Sequence, residues 1–243
     1  MEITNSIALV TGSARRIGRA ISLELARRGA RLAIHYRSSE AEAVETLSMV
    51  RALGSDGEIF HADLADDSAR DAMVEAIRSR FGTVHILVNN ASEFAPGTLE
   101  ASTPEMWDKQ MDANARAPFF LARSCATMML DSGRGKILNI ADPAGEKIWT
   151  GYLSYSVSKA ALLGVTQGLA KELAPGIQVN AVAPGPVYFP DSYTPEQKQT
   201  AIERTLLKRA GSAEDVVRAV VFLIENDYIT GEVLHVDGGR HVL

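Results

Sequence analysis

Two hydrophobic spacings alternate along the chain. Short, mostly β-branched runs at Ile7 to Thr11, Arg31 to Tyr36, Glu58 to His61, Val84 to Asn89, Lys136 to Ile140, Ile177 to Val182 and Val233 to Val236 predict seven strands. Between them, apolar residues recur at helical spacing over Ile17 to Arg28, Ala41 to Ala52, Ala65 to Phe81, Pro104 to Asp131, Leu153 to Leu173 and Ala213 to Ile224. Gly29, Gly54, Gly82 and Gly176 each fall just past a helical stretch, where a left-handed cap commonly ends a helix. Strand and helix in strict alternation predict an α/β, doubly wound fold with a seven-stranded parallel sheet and helices on both faces. No repeat, low-complexity segment or linker interrupts the pattern, so residues 1–243 are expected to form one domain.

Composition narrows the function classes. With 243 residues, 46% of them hydrophobic and 23% charged, the chain can bury a full core. A net charge of -5 offers no electrostatic footprint for nucleic acid or an anionic membrane. Cys125 is the only cysteine, which forbids an intramolecular disulfide and suits a reducing compartment. The start, Met1 to Asn5, has no basic segment leading into an apolar run, and no stretch of about eighteen apolar residues follows anywhere. A cytoplasmic protein without a metal centre is expected.

The first strand-to-helix junction reads Val10-Thr11-Gly12-Ser13-Ala14-Arg15-Arg16-Ile17-Gly18. Glycine there permits a tight turn and close backbone approach, and the N–H groups opening the next helix suit a pyrophosphate. Plain turn chemistry is the alternative. The second strand favours the ligand: it ends at Tyr36, and Arg37 and Ser38 follow, with no acid before Glu40. An acid at this strand end would hold ribose hydroxyls, whereas Arg and Ser suit a 2′-phosphate, so a Rossmann-type site for NADPH is expected. Farther on, Tyr155 precedes Lys159 by four residues at the start of a long amphipathic helix, which puts both side chains on one face. An ammonium beside the phenol is expected to lower its pKa from about 10 towards working pH, making Tyr155 the candidate acid or base.

These residues resemble a short-chain dehydrogenase/reductase over nearly the whole length, through Thr11-Gly12 and Gly18, Asp63-Leu64, Asn89-Asn90-Ala91, Asn114, Tyr155 and Lys159, and Pro184-Gly185. The resemblance implies that Gly12, Arg15, Arg16, Ile17 and Gly18 form the pyrophosphate turn. It likewise implies that Asp63 and Leu64 flank the adenine, that Asn90, Ala91 and Ser92 line the ribose, and that Pro184, Gly185 and the backbone of Val187 serve the nicotinamide side. Asn114 would support Lys159 through a water, and Lys159 would hold the nicotinamide ribose while tuning Tyr155. Members of this length usually pair through the helices after the fourth and fifth strands, which implies a homotetramer.

Two departures are informative. Arg16 stands where the family has its middle glycine, and Asp142 where it has a serine. Both resemble the pteridine reductases of the family, as do His35-Tyr36-Arg37-Ser38 and Ala91-Ser92-Glu93-Phe94. Chemistry supports the reading of Asp142 independently: an ionised carboxylate opposes the negative oxygen that develops when a carbonyl is reduced, but accepts N–H bonds from an electron-poor heterocycle. Alternatively, Asp142 faces away and carbonyl reduction survives. Phe94 would stack on a pterin, or else cover the core; the resemblance adds Ser92 as a hydrogen-bonding partner of the pterin, and Arg16 could reach both phosphate and substrate. Residues 186–207, with a short helix over Glu196 to Leu207, read as a substrate lid. Phe189 replaces the threonine or serine that commonly contacts the nicotinamide amide in the family.

The expected activity is therefore NADPH-dependent reduction of a dihydropterin, with Tyr155 supplying the proton and Asp142 orienting the substrate. The alternative enzyme is a carbonyl reductase of the 3-oxoacyl-[acyl-carrier-protein] type, which Gly231-Glu232-Val233 and Asp237-Gly238-Gly239 also resemble. A non-catalytic NADPH-binding sensor is the alternative of another class, disfavoured by the intact Asn114, Tyr155 and Lys159.

Overall fold

The computed structural model describes every residue from Met1 to Leu243. The strands are β1 (Ile7–Val10), β2 (Arg31–Tyr36), β3 (Gly57–His61), β4 (Ile86–Asn89), β5 (Gly135–Ile140), β6 (Ile177–Pro184) and β7 (Val233–Val236). They pair in the order β3-β2-β1-β4-β5-β6-β7, every pair parallel. Parallel pairing needs a helix at each crossover, and covering both faces explains why β1 and β4 are buried along their whole length.

Alternate residues of each strand enter opposite layers. Ala8, Val10, Leu32, Ile34, Ile86 and Val88 pack beneath α1 (Arg16–Arg27), α2 (Glu40–Ala52) and α8 (Ala213–Glu225). Ile7, Leu9, Ala33, Leu87 and Ile137 pack against α3 (Asp67–Phe81), α5 (Ala117–Asp131) and α6 (Leu153–Leu173). The winding reverses between β1 and β4, and the loops leaving the strands' carboxyl ends open a crevice there.

Several expected boundaries shift for local reasons. The helix expected over Pro104 to Asp131 is two helices, α4 (Pro104–Met111) and α5, joined by a π-helical turn at Asp112–Arg116. The wider turn holds Asn114 so that its side chain bonds the backbone of Glu93. α3 begins at Asp67 rather than Ala65 because the Asp66 carboxylate caps the N–H of Ala69. Gly29, Gly54 and Gly82 adopt φ of +84°, +80° and +81° as helix stops, but Gly176 does not. α6 ends instead because the residue before Pro175, Ala174, is extended at φ −69°, ψ 148°. The lid helix α7 spans Pro195–Glu203, shorter than expected, and starts with a reciprocal Thr194–Gln197 capping box. No helix is long and apolar enough to cross a membrane.

Candidate active site

The crevice is a cleft of about 1030 Å³ lined from the loops after β1 to β6, the lid and Arg240. Its nucleotide half is built by close approach. At Gly12, whose φ is +61°, a Cβ would lie 3.0 Å from Ala91 Cα; at Gly18 one would lie 2.5 Å from the Gly12 carbonyl and 2.6 Å from Asn90 Nδ2. Asn90 Nδ2 donates to the Thr11 carbonyl at 2.8 Å, while the Thr11 hydroxyl accepts from the N–H groups of Asn90 and Ala91. The start of α1 has neither an acid in its first turn nor a side-chain cap, which leaves its N–H groups for an anion. These features fit a dinucleotide pyrophosphate.

His35 completes that turn and was not anticipated. It is buried, its Nδ1 accepts from the Gly12 N–H at 3.0 Å, and its Nε2 lies 3.1 Å from the Ala62 carbonyl. Burial pushes its pKa down to about 4, so it stays neutral and keeps one acceptor nitrogen for Gly12. In sequence it appears only within the His35-Tyr36-Arg37-Ser38 resemblance, with no role of its own. Tyr36, Arg37, Ser38, Asp63 and Leu64 all line the cleft, with the Arg37 guanidinium half-exposed and 3.6 Å from the Glu93 carboxylate. Ile17, Arg15 and Arg16 line it too, and Arg16 holds a left-handed φ of +53° at the position where a glycine was expected.

The expected catalytic residues converge. Tyr155, in the first turn of α6, donates its hydroxyl to Asp142 Oδ2 at 2.8 Å, and Asp142 Oδ1 accepts the Ala144 N–H at 2.8 Å. Lys159 is buried one turn along α6, its ammonium 5.8 Å from the Tyr155 ring and donating to the Ile140 carbonyl at 2.9 Å. Asn114 lies behind the cleft: its Nδ2 donates to Glu93 O and to Ser158 Oγ, and its Oδ1 accepts from Ser92 Oγ and Glu93 N. It thus touches the neighbour of Lys159 rather than Lys159, and Ser92 is already engaged with it.

One expectation is corrected here. Lys159 does not lower the Tyr155 pKa; burial first, then the Asp142 carboxylate, push it well above the ordinary phenol value. Lys159 is itself lowered to about 8 by burial, with Asp142 opposing. Burial also raises Asp142. Tyr155 therefore keeps its proton through neutral pH, which suits a proton donor.

The substrate half is aromatic. Phe94 stacks on Tyr152 at 5.0 Å and 19° and meets Tyr155 edge-on at 4.7 Å, while Trp149 stands 6.4 Å from Tyr155. The lid closes one side through Pro186 to Pro190, with the Tyr193 hydroxyl 3.1 Å from that of Tyr152. Pro184, Gly185 and Val187 form the wall between the halves. Trp149, Tyr193 and Arg240 escaped the sequence reading, since nothing in local spacing brings them to one place.

Known proteins match this sequence and fold over nearly the whole chain. A family profile described as "Enoyl-(Acyl carrier protein) reductase" matches residues 12–241. The chain is 35% identical to a 3-oxoacyl-[acyl-carrier-protein] reductase FabG of Staphylococcus aureus, over all of both chains. Among solved structures, it is 34% identical to the FolM alternative dihydrofolate reductase 1 of Brucella canis complexed with NADP, with a TM-score of 0.94 over 100% of this chain and 96% of the other. The angucycline C-6 ketoreductase LanV with bound NADP shares 31% identity at a TM-score of 0.93, covering 100% and 98%.

Proposed function

The chain belongs to the short-chain dehydrogenase/reductase family and is an NADP-dependent reductase, and from that premise we propose that its substrate is a dihydropterin, reduced at a C=N bond to the tetrahydropterin. Bound NADPH supplies the hydride. Gly12, Gly18 and the α1 N-terminus would cradle its pyrophosphate, Arg37 and Ser38 its 2′-phosphate, and Lys159 its nicotinamide ribose.

The observation that carries the substrate assignment is the hydrogen bond from the Tyr155 hydroxyl to the Asp142 carboxylate. A carboxylate at that point opposes an oxyanion forming on a reduced carbonyl, whereas protonation of a ring nitrogen leaves no such charge to oppose. Tyr155 supplies the proton, and Asp142 accepts N–H groups of the heterocycle and orients it. The aromatic walls of Phe94, Tyr152 and Trp149 match a flat ring, each offset stack adding about 0.5–1.5 kcal/mol beyond burial.

A second reading, reduction of a 3-oxoacyl thioester, is favoured by the curated relatives. The comparisons lean towards this second reading, with FabG proteins 34–35% identical over the whole chain, while the FolM structure at 34% supports the pterin. Asp142 is what favours the pterin over the thioester. Steady-state NADPH oxidation with a 7,8-dihydropterin and with an acetoacetyl thioester tests it: kcat/KM at least about tenfold higher for the pterin is expected, and the reverse order establishes the second reading. Oxidation of neither would leave a binding role for NADPH alone.

A further inference from the structure

We propose that Arg240 and Arg204 form an anion subsite in the substrate half of the cleft, which holds an acidic tail on the molecule being reduced. Both side chains line the cleft. The Arg240 guanidinium lies over the Trp149 ring, 4.2 Å from its centroid, and Trp149 is a neighbour of Tyr155. Neither arginine has a carboxylate within ion-pair distance or an acceptor for its guanidinium. By contrast Arg19, Arg28, Arg80 and Arg116 are all paired on the surface. A guanidinium stacked on an aromatic face keeps its in-plane N–H groups free, in the fork that carboxylates and phosphates accept.

Arg240 is held in place rather than trailing from the sheet. The Asp237 carboxylate, at the end of β7, accepts the N–H groups of Gly239 at 2.9 Å and His241 at 2.7 Å, winding Arg240–Val242 into a short 3₁₀ turn. His241 also lies 3.0 Å from Asp237 and stacks on His235 at 4.0 Å. A Cβ at Gly185 would come 2.6 Å from Asp237 Cα, so this frame is locked to the wall of the cleft.

Three acids share the region, of which Asp237 is committed to the N–H groups of Gly239 and His241. Glu196 caps its own helix start, and Asp142, the charge felt most by Arg240, is committed to Tyr155 and Ala144. The competing role for Arg240 is thus to tune Asp142. The subsite rests on the proposed pterin reading for the ring and adds the tail: carboxylate, as in 7,8-dihydrofolate, or phosphate, as in 7,8-dihydroneopterin monophosphate.

The test compares those two substrates with neutral 7,8-dihydroneopterin, using the NADPH-loaded wild type, Arg240→Gln and Arg240→Lys. An anionic substrate is expected to have a KM at least about tenfold below the neutral one. Arg240→Gln should erase that discrimination through KM rather than kcat, and Arg240→Lys should restore part of it. Which anionic substrate shows the effect identifies the tail. No discrimination in wild type, or a loss in Arg240→Gln that falls on kcat for all three with a displaced kcat–pH profile, overturns the subsite and makes Arg240 a tuner of Asp142. If no pterin is turned over, the pterin reading fails separately. The subsite is then read from acetoacetyl coenzyme A against the neutral acetoacetyl N-acetylcysteamine thioester, where equal KM values in wild type and Arg240→Gln overturn it.

Discussion

Replacing Asp142 by serine isolates the proposed chemistry at one position. Serine can still cap the Ala144 N–H that Asp142 Oδ1 now accepts, so the local turn has a substitute partner. What disappears is the charged acceptor 2.8 Å from the Tyr155 oxygen. A hydrogen bond to a charged group contributes roughly 1.5–3 kcal/mol. Losing its counterpart to the substrate N–H groups corresponds to a fall of about 10- to 150-fold in kcat/KM for a dihydropterin. The Tyr155 pKa should also drop, because Asp142 is the largest cause after burial of its upward shift. Steady-state NADPH oxidation measures the first effect, and the binding of NADPH, followed by its fluorescence, should not change. Activity on a simple ketone should hold or rise, since the opposing carboxylate is gone. Tyr155→Phe is the control that should depress both reactions. Dihydropterin reduction left intact in Asp142→Ser would refute the reasoning.

Arg37→Ala should remove most of an NADPH preference that we expect to be at least about tenfold in wild type, or roughly 1.4 kcal/mol, while NADH turnover stays nearly constant; equal use of both cofactors by wild type would exclude the role of Arg37. Lys159 should make ligand-free stability pH-dependent in an unusual sense: its folded pKa of about 8 lies below the ordinary 10.5, so the folded state holds fewer protons between those values. Its contribution therefore rises with pH across that window, and denaturant titrations should show a rise that is absent in Lys159→Met. We propose a homotetramer in solution, consistent with the outward Trp107, Phe119 and Leu130 of α4 and α5 and with the open space around Gly164 and Gly168 on α6. Light scattering at micromolar concentration should give about four times the 26.2 kDa chain mass, and a monomer would rule the assembly out.

What was legible in the sequence follows a physical division. The strands could be read because central parallel strands are buried on both faces, so Ile7 to Val10 and Ile86 to Val88 show as unbroken apolar runs. The nucleotide turn could be read because Gly12 and Gly18 have no room for a side chain. The π turn at Asp112–Arg116 could not, since apolar spacing runs through it and only the distant Glu93 backbone reveals what the distortion gains. Trp149, Tyr193 and Arg240 were hidden for the same reason: they meet through tertiary packing of a loop, a lid and the segment after β7. The Tyr155 shift was misread because i,i+4 spacing reports a nearby cation but not burial, and burial outweighs it.

Two local rules break at the cleft, at Arg16 and Asp142. Arg16 occupies a left-handed backbone position that costs a residue with a Cβ about 1 kcal/mol or more, where glycine would be nearly free of strain. Its ion pair with Asp191 of the lid, at 3.6 Å and well exposed, contributes at most about 1 kcal/mol. The free protein therefore gains little by keeping arginine there. On the proposed role of Arg16, a guanidinium set on the phosphate turn and reaching to the lid would gain instead from the cofactor and substrate between them, offsetting the strain. The same reasoning covers Asp142, whose burial raises its pKa and whose partners include the Tyr155 hydroxyl. On the proposed pterin reading, both residues stand where a bound cofactor and a nitrogen heterocycle would find their charges, so one substrate would account for both departures from the family pattern.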